Sequence, residues 1–243
     1  SARQAAAEVE RRVVAGDGHL PAPAPPAVPA VPAAGLSSAS PSAPDLLIDA
    51  AARLDVARVG AILDEQFATG SFETVVDGWL LPALVELGEA WSQGRVSVAG
   101  EHLVAYAVQR RLAAAYEAAA HHTGGPRVII GLPAGARHEL GLLAFATAAR
   151  RVGLTTAYVG ANLPTADWAV AAGAHDAACA VLAVPREADL AGLRAVVAEL
   201  RSAYPELTIA VGGDQQDLAP KECLRLGHDI GEAAAVLANA LAR

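Results

Sequence analysis

Apolar and polar positions divide the chain into stretches with different periods. Between Asp45 and about Ala120, apolar residues recur at steps of three and four, the period of a helix that buries one face. Residues 46–54 read as a first helix, and Asp55 caps a second that runs to about Phe67. Ser71 caps a third, with Glu73 in its first turn and Thr74 where a full capping box places Glu or Gln. In that segment Val76, Trp79, Leu80, Leu84, Leu87 and Trp91 keep the period, and Pro82 predicts a kink. A fourth helix spans about 98–120, with Leu103, Ala107, Val108, Leu112 and Tyr116 on one side. Short connections between the four predict an antiparallel bundle over 45–123.

After Gly124-Gly125-Pro126 the pattern changes. Strand-like apolar runs at 127–132, 155–159, 177–184 and 207–211 alternate with helical segments at about 139–152, 165–174 and 189–204, and a last helix spans 231–241. Strands buried on both faces and separated by helices predict a doubly wound parallel sheet over 126–243. The expected fold class is thus all-α plus α/β: a four-helix bundle, then a Rossmann- or flavodoxin-like domain. Ahead of both, residues 2–15 favour a short helix and the Pro- and Ala-rich run to residue 44 an extended linker.

Charge and cysteine content narrow the function classes. Among 243 residues, 26 Asp and Glu outnumber 18 Lys and Arg, for a net charge of −8. That balance argues against a nucleic-acid surface on this chain, which needs clustered cations. Cys179 and Cys223 form no Cys-x-x-Cys and read as buried, reduced thiols of a cytoplasmic protein. No run is long and apolar enough for a membrane span, and no signal-peptide pattern opens the chain.

Candidate chemistry lies where parallel strands end, because the connections part there and leave a crevice. No Gly-x-Gly-x-x-Gly follows the first strand, and no Gly-x-x-x-x-Gly-Lys-Ser/Thr occurs. Instead, His138-Glu139-Leu140-Gly141 follows the first strand, Ala183-Val184-Pro185 the third and Gly212-Gly213 the fourth, with 41 and 26 residues between them.

In order and spacing these elements resemble the cobalamin-binding domain family, whose pattern is Asp/Glu-x-His-x-x-Gly, then Ser-x-Leu, then Gly-Gly. The resemblance covers 126–243. It implies that His138 is the lower ligand of cobalt, replacing the cofactor's own benzimidazole. The displaced tail would then pass Gly141, Ala183, Gly212 and Gly213, where small residues leave room. Two departures stand out. Ala136 occupies the acid position, so a water, Glu139 or a backbone carbonyl has to orient the ring. Ala183 and Pro185 replace the serine and the leucine, which removes one hydroxyl hydrogen bond to the tail.

The bundle adds a second resemblance. Trp91, nine residues, then Glu101-His102 is similar to the signature of the light-sensing cobalamin domains of MerR-type photoreceptor regulators and of their stand-alone relatives, the photocobilins. It implies adenosylcobalamin as cofactor, with Trp91 over the adenosyl group, Glu101 bonded to its polar atoms, and Val98 and His102 in the same pocket. Ser92 stands where some of these proteins have a histidine that captures cobalt after photolysis. The implied role is a non-enzymatic light sensor, a homo-oligomer (dimer or tetramer) with an undefined downstream effector, and biliverdin as a possible second chromophore in the photocobilin manner. The winged helix-turn-helix of the regulators is not visible in this chain. The alternative is a corrinoid carrier for methyl transfer, which would have to leave the upper face open.

Other polar residues carry less weight. His121 and His122 read as solvated at a helix end, His19, His175 and His228 lack neighbours at metal spacing, and Arg110-Arg111 read as an exposed helix face. Tyr158 and Trp168 fit either core or pocket.

Overall fold

Four bundle helices start where a short polar side chain satisfies a first free amide. In the computed structural model, which describes residues 42–120 and 124–242, helix α1 (Ala43–Ala52) begins at Ser42, which forms a capping box with Asp45. Asp55 accepts from the Arg58 amide to open α2 (Val56–Phe67), and Ser71 accepts from Thr74 to open α3 (Phe72–Val75). Ser97 accepts from Gly100 to open α5 (Val98–Ala118). Between them, α3 continues through a π-helical turn, Val76–Leu80, into α4 (Leu81–Ser92). Pro82 therefore lies in the first turn of α4, where its missing N–H costs little, and the irregularity expected of it is the π turn just before. Helix α1 stops at Ala52 rather than at residue 54 because Leu54 adopts φ 54°, a left-handed backbone that no helix can continue. The helix expected at 2–15, the linker up to residue 41, and His19, His121 and His122 lie outside the described residues.

The second part is the expected doubly wound sheet. Strands β1 (Arg127–Pro133), β2 (Thr155–Leu163), β3 (Cys179–Ala183), β4 (Thr208–Gly212) and β5 (Leu224–Arg225) are all parallel, in the order β2-β1-β3-β4-β5. Helices α6 (Leu140–Arg151), α7 (Thr165–His175), α8 (Leu190–Ala203) and α9 (Ile230–Leu241) connect and flank them. On one face, Trp168 and Leu193, Val196 and Leu200 pack on Ile129, Leu182 and Val211, which settles Trp168 as core. On the other face, Phe145 and Ala148 of α6 cover Val128, Ile130 and Val181, and the same apolar cluster continues into Leu47, Ile62, Leu80 and Leu112 of the bundle. Residues 41–243 form one compact unit.

Polar contacts fix how the bundle lies against α6 and α9. The Tyr116 hydroxyl is 3.1 Å from the Thr156 carbonyl and 3.0 Å from its hydroxyl. Arg150 donates to the Tyr116 carbonyl at 2.8 Å and lies 3.5 Å over its ring. Arg151 pairs with Glu73 at 2.6 Å, and Asp77 accepts from the amides of Ile230 and Gly231 at the start of α9. Helix α5 thus runs alongside α6, with Tyr116 level with the beginning of β2 and Gln109, bonded to Glu139, level with the strand ends. Its first eleven residues, before Gln109, make up about 16 Å of helix at 1.5 Å per residue.

Candidate functional site

The loop after β1 is shaped by one residue of β2. Asn162, at φ 59°, accepts from the Gly135 amide through Oδ1 at 2.8 Å and donates its own amide to the Ala136 carbonyl at 3.1 Å. Asn and Asp tolerate this left-handed backbone better than most residues. The clamp, with the Ala136 amide donating to Pro133 at 3.1 Å, buries Ala136 completely and leaves Arg137 and His138 exposed on the rim.

Among the described residues no carboxylate orients His138. Ala136 is sealed in the apolar core, and Glu139, the nearby acid that could have done so, is engaged elsewhere. Its Oε1 accepts from Gln109 at 3.1 Å and its Oε2 from the Tyr158 hydroxyl at 2.7 Å. Burial, reinforced by the Glu139 bond and charge, pushes the Tyr158 phenol far above its ordinary range, so Tyr158 stays a proton donor. Among the described residues no protein hydrogen bond reaches the His138 ring, and no cluster of three or more His, Cys, Asp or Glu side chains is poised for a metal. An imidazole in that setting suits a metal that carries its other ligands with it, as a corrin macrocycle does.

The glycines beside it have separate roles. A Cβ on Gly213, at φ 89°, would stand 2.8 Å from the Val184 carbonyl, so this position is required by the loops themselves. Those loops are tied by the Val184 amide donating to Gly212 at 2.9 Å and the Gln215 amide donating to Val184 at 3.0 Å. A Cβ on Gly212, by contrast, would meet nothing within 4 Å, and one on Gly141 would meet only Leu81, at 3.9 Å. Gly212, paired with Ala183 at the end of β3, thus borders open space, and Gly141 has room on its own side. Buried Gln216 closes the far side by bonding both the amide (2.9 Å) and the carbonyl (2.8 Å) of Gly227, ahead of α9.

Above the strand ends hangs the projecting part of the bundle. Val98, His102 and Ala105 stand eleven, seven and four residues before Gln109 and share its face of α5, the one turned toward the sheet. Trp91 is 49% exposed, Val98 54% and Tyr106 61%, so large apolar groups stay uncovered at the Trp91 end of α4 and in the first half of α5. Apolar exposure of this kind on one segment marks a contact surface. Glu101 lies 3.6 Å from His102, whose ring meets Tyr106 edge-on at 6.3 Å. Trp91 is therefore not bundle core, which is filled by Leu47, Ile62, Leu87 and Leu112.

Sequence reasoning missed Asn162, Gln109, Tyr106 and Gln216, and it misplaced Arg111. That guanidinium is not a free helix face: it bonds Asp64 at 2.8 Å and the Gly60 carbonyl at 3.0 Å inside the bundle. Both cysteines are buried, and burial pushes the Cys179 thiol up to about 12. Among the described residues no helix is long and apolar enough to cross a membrane.

Known proteins match both parts. Two family models, each described as a B12 binding domain, match residues 45–116 and 126–241. The HTH-type transcriptional repressor CarH of Myxococcus xanthus is 32% identical over 194 residues, covering 74% of this chain and 60% of that protein. The HTH-type transcriptional repressor CarA of the same organism is 35% identical over 108 residues, covering 44% of this chain and 36% of that protein. The chain thus spans less than two thirds of either relative. The monomethylamine corrinoid protein of Methanosarcina barkeri superposes with a TM-score of 0.65 at 14% identity, over 80% of this chain and 96% of that one, which is a likeness of fold.

Proposed function

The chain belongs to the B12-binding domain family, and we propose that it is a light sensor that holds adenosylcobalamin between the bundle and the sheet. The observation that carries this reading is the pairing of one exposed imidazole, His138, on the sheet side with an uncovered apolar overhang on the bundle side. His138 would donate an imidazole nitrogen to cobalt from below. Gly141, Ala183, Gly212 and Gly213 would leave the tail its channel. Trp91 and Val98 would cover the upper ligand, with Glu101 accepting from its hydroxyls and His102 lining the same space. The adenosyl form of B12 supplies a cobalt–carbon bond that visible light breaks. Trp91, Val98 and His102 would rest on that upper ligand, and loss of this support would alter the oligomer, a dimer or tetramer, that we propose the bundle builds. A bilin such as biliverdin is a second, lesser element of the proposal, tested by red absorption after its addition.

The competing role, a methyl carrier, is disfavoured because on this reading Trp91 and Glu101 would stand where a partner enzyme has to reach. The test is the absorption spectrum of the full chain with adenosylcobalamin, in the dark and after green light. A light-dependent change, with an axial-ligand signature that His138→Ala removes, is expected. A light-stable spectrum overturns the sensor reading, and an unchanged signature in His138→Ala removes this histidine from the metal.

A further inference from the structure

We propose that Glu139 is a positioning residue that links the His138 loop to the bundle, so that ligation by His138 and seating of α5 are one equilibrium. The inference rests on the cobalamin reading above. Glu139 follows His138 directly and stands at the N-cap position of α6, yet its side chain caps nothing. Its two oxygens are divided between the two parts of the molecule instead: Oε1 takes the Gln109 amide of the bundle, and Oε2 takes the Tyr158 hydroxyl of the sheet. Its backbone is held no less firmly than its carboxylate. The Glu139 amide donates to the Arg137 carbonyl at 3.0 Å, closing the loop around His138, and its carbonyl accepts from Leu143 at 2.8 Å. Glu139 is thus bonded to the bundle by its side chain and to the His138 loop by its backbone, one residue joining the two.

The opposite end of the loop cannot answer in the same way. There Asn162 ties Gly135 and Ala136 to β2 alone, and Ala136 is fully buried. His138 is thus suspended between an end fixed to the sheet and an end shared with the bundle. Other polar contacts between the two parts, Tyr116 with Thr156 and Arg150, Arg151 with Glu73, and Asp77 with α9, touch residues outside this loop. With no acid at position 136, the loop's own geometry must aim the imidazole, and Gln109 holds that geometry through Glu139.

Coupling of this kind is reciprocal: whatever α5 contributes to His138 ligation, His138 ligation returns to α5. The experiment uses the full chain with hydroxocobalamin as probe and compares wild type, Gln109→Leu, Glu139→Ala and Glu139→Gln. Two readouts are taken: the visible-region signature of imidazole on cobalt, and amide hydrogen exchange of residues 134–140 without cofactor. In Gln109→Leu and Glu139→Ala, loop exchange should quicken and the imidazole-ligated fraction fall about tenfold, within the usual range of coupling between sites. Glu139→Gln, whose amide can meet both partners once Gln109 flips, should stay near wild type. Gln109→Leu lies on the half-exposed face of α5 and keeps the assay readable should Glu139→Ala not fold. Wild-type ligation and loop exchange in Gln109→Leu overturn the link alone, while absence of imidazole-ligated cobalamin in wild type overturns the link and the cobalamin reading together.

Discussion

Around Thr156 and around His138 the same two helices meet the sheet in opposite ways. At Thr156 the contact is sealed: Tyr116, Arg150 and Thr156 are all buried, and their hydrogen bonds and the guanidinium stack leave little unsatisfied. At His138 the contact is a single carboxylate shared between Gln109 and Tyr158, beneath exposed Trp91, Val98 and Tyr106. The lower zone spends apolar and polar groups on holding the bundle in place. The upper zone leaves such groups uncovered, which a folded chain does where something else is to cover them. Stability is thus concentrated at one end of the interface, and the proposed function would put recognition at the other.

That division is broken most severely by Arg150→Ala. The change strips buried partners from the Tyr116 carbonyl and Thr156 hydroxyl and removes the stack, a loss of about 2–4 kcal/mol in unfolding free energy. Urea denaturation measures it. Cobalamin affinity of the molecules that stay folded should be unaltered, and a parallel fall in affinity would show that the two zones are not separate.

Trp91→Ala tests the opposite end. Half-exposed and outside the bundle core, Trp91 should contribute within about 0.5 kcal/mol to stability. Adenosylcobalamin affinity should drop about tenfold, or ~1.4 kcal/mol, as a flat apolar cover is lost. Equilibrium binding and urea midpoints on the same preparation give both numbers. A stability loss above about 2 kcal/mol would return Trp91 to the bundle core.

How much of this was legible depends on the range of the interactions. Asp55 and Ser71 announce helix starts because a cap acts within three residues, and both starts stand where the sequence places them; the helix expected from about 98 begins at Val98, with Ser97 as a cap that was not foreseen. Strand β5 spans only Leu224–Arg225, too short to carry a pattern, and the left-handed Leu54 gives no sign in its residue type. At the site, His138, Gly141 and Gly212-Gly213 were readable as a spaced motif, though only the structure separates the sterically required Gly213 from Gly212, which borders open space. Gln109 with Glu139, and Asp77 with Ile230, are joined across 30 and 153 positions, and a residue type alone carries no trace of such a partner. Asn162 was hidden for a related reason: its clamp on the His138 loop depends on β2 running on to Leu163, past the predicted end of the strand.

The smallest effect concerns two carboxylates that attach the bundle to α6 and α9 and respond oppositely to acid. Burial would raise Glu73, but the Arg151 hydrogen bond and charge, with local hydrogen bonds, hold it net below its ordinary range. Asp77 is held above its ordinary range, chiefly by burial and further by the Asp229 charge, against the two amides it accepts from. A depressed acid stabilises the fold above its unfolded pKa and loses that contribution as pH falls through the folded value. A raised acid does the reverse: its ionised form is the costly one, and the cost is relieved as pH falls through the folded value. Acidification from neutrality toward pH ~4 therefore begins to remove what Glu73 gives while beginning to return what Asp77 costs, and the two partly cancel. Glu73→Gln should make stability less sensitive to acid than wild type, and Asp77→Asn more sensitive, each by less than about 1 kcal/mol given partial solvent screening. Urea midpoints at the two pH values decide the signs. Equal shifts in both variants would mean that the two carboxylates do not act in opposition, and that the attachment of the bundle responds to acid through groups elsewhere.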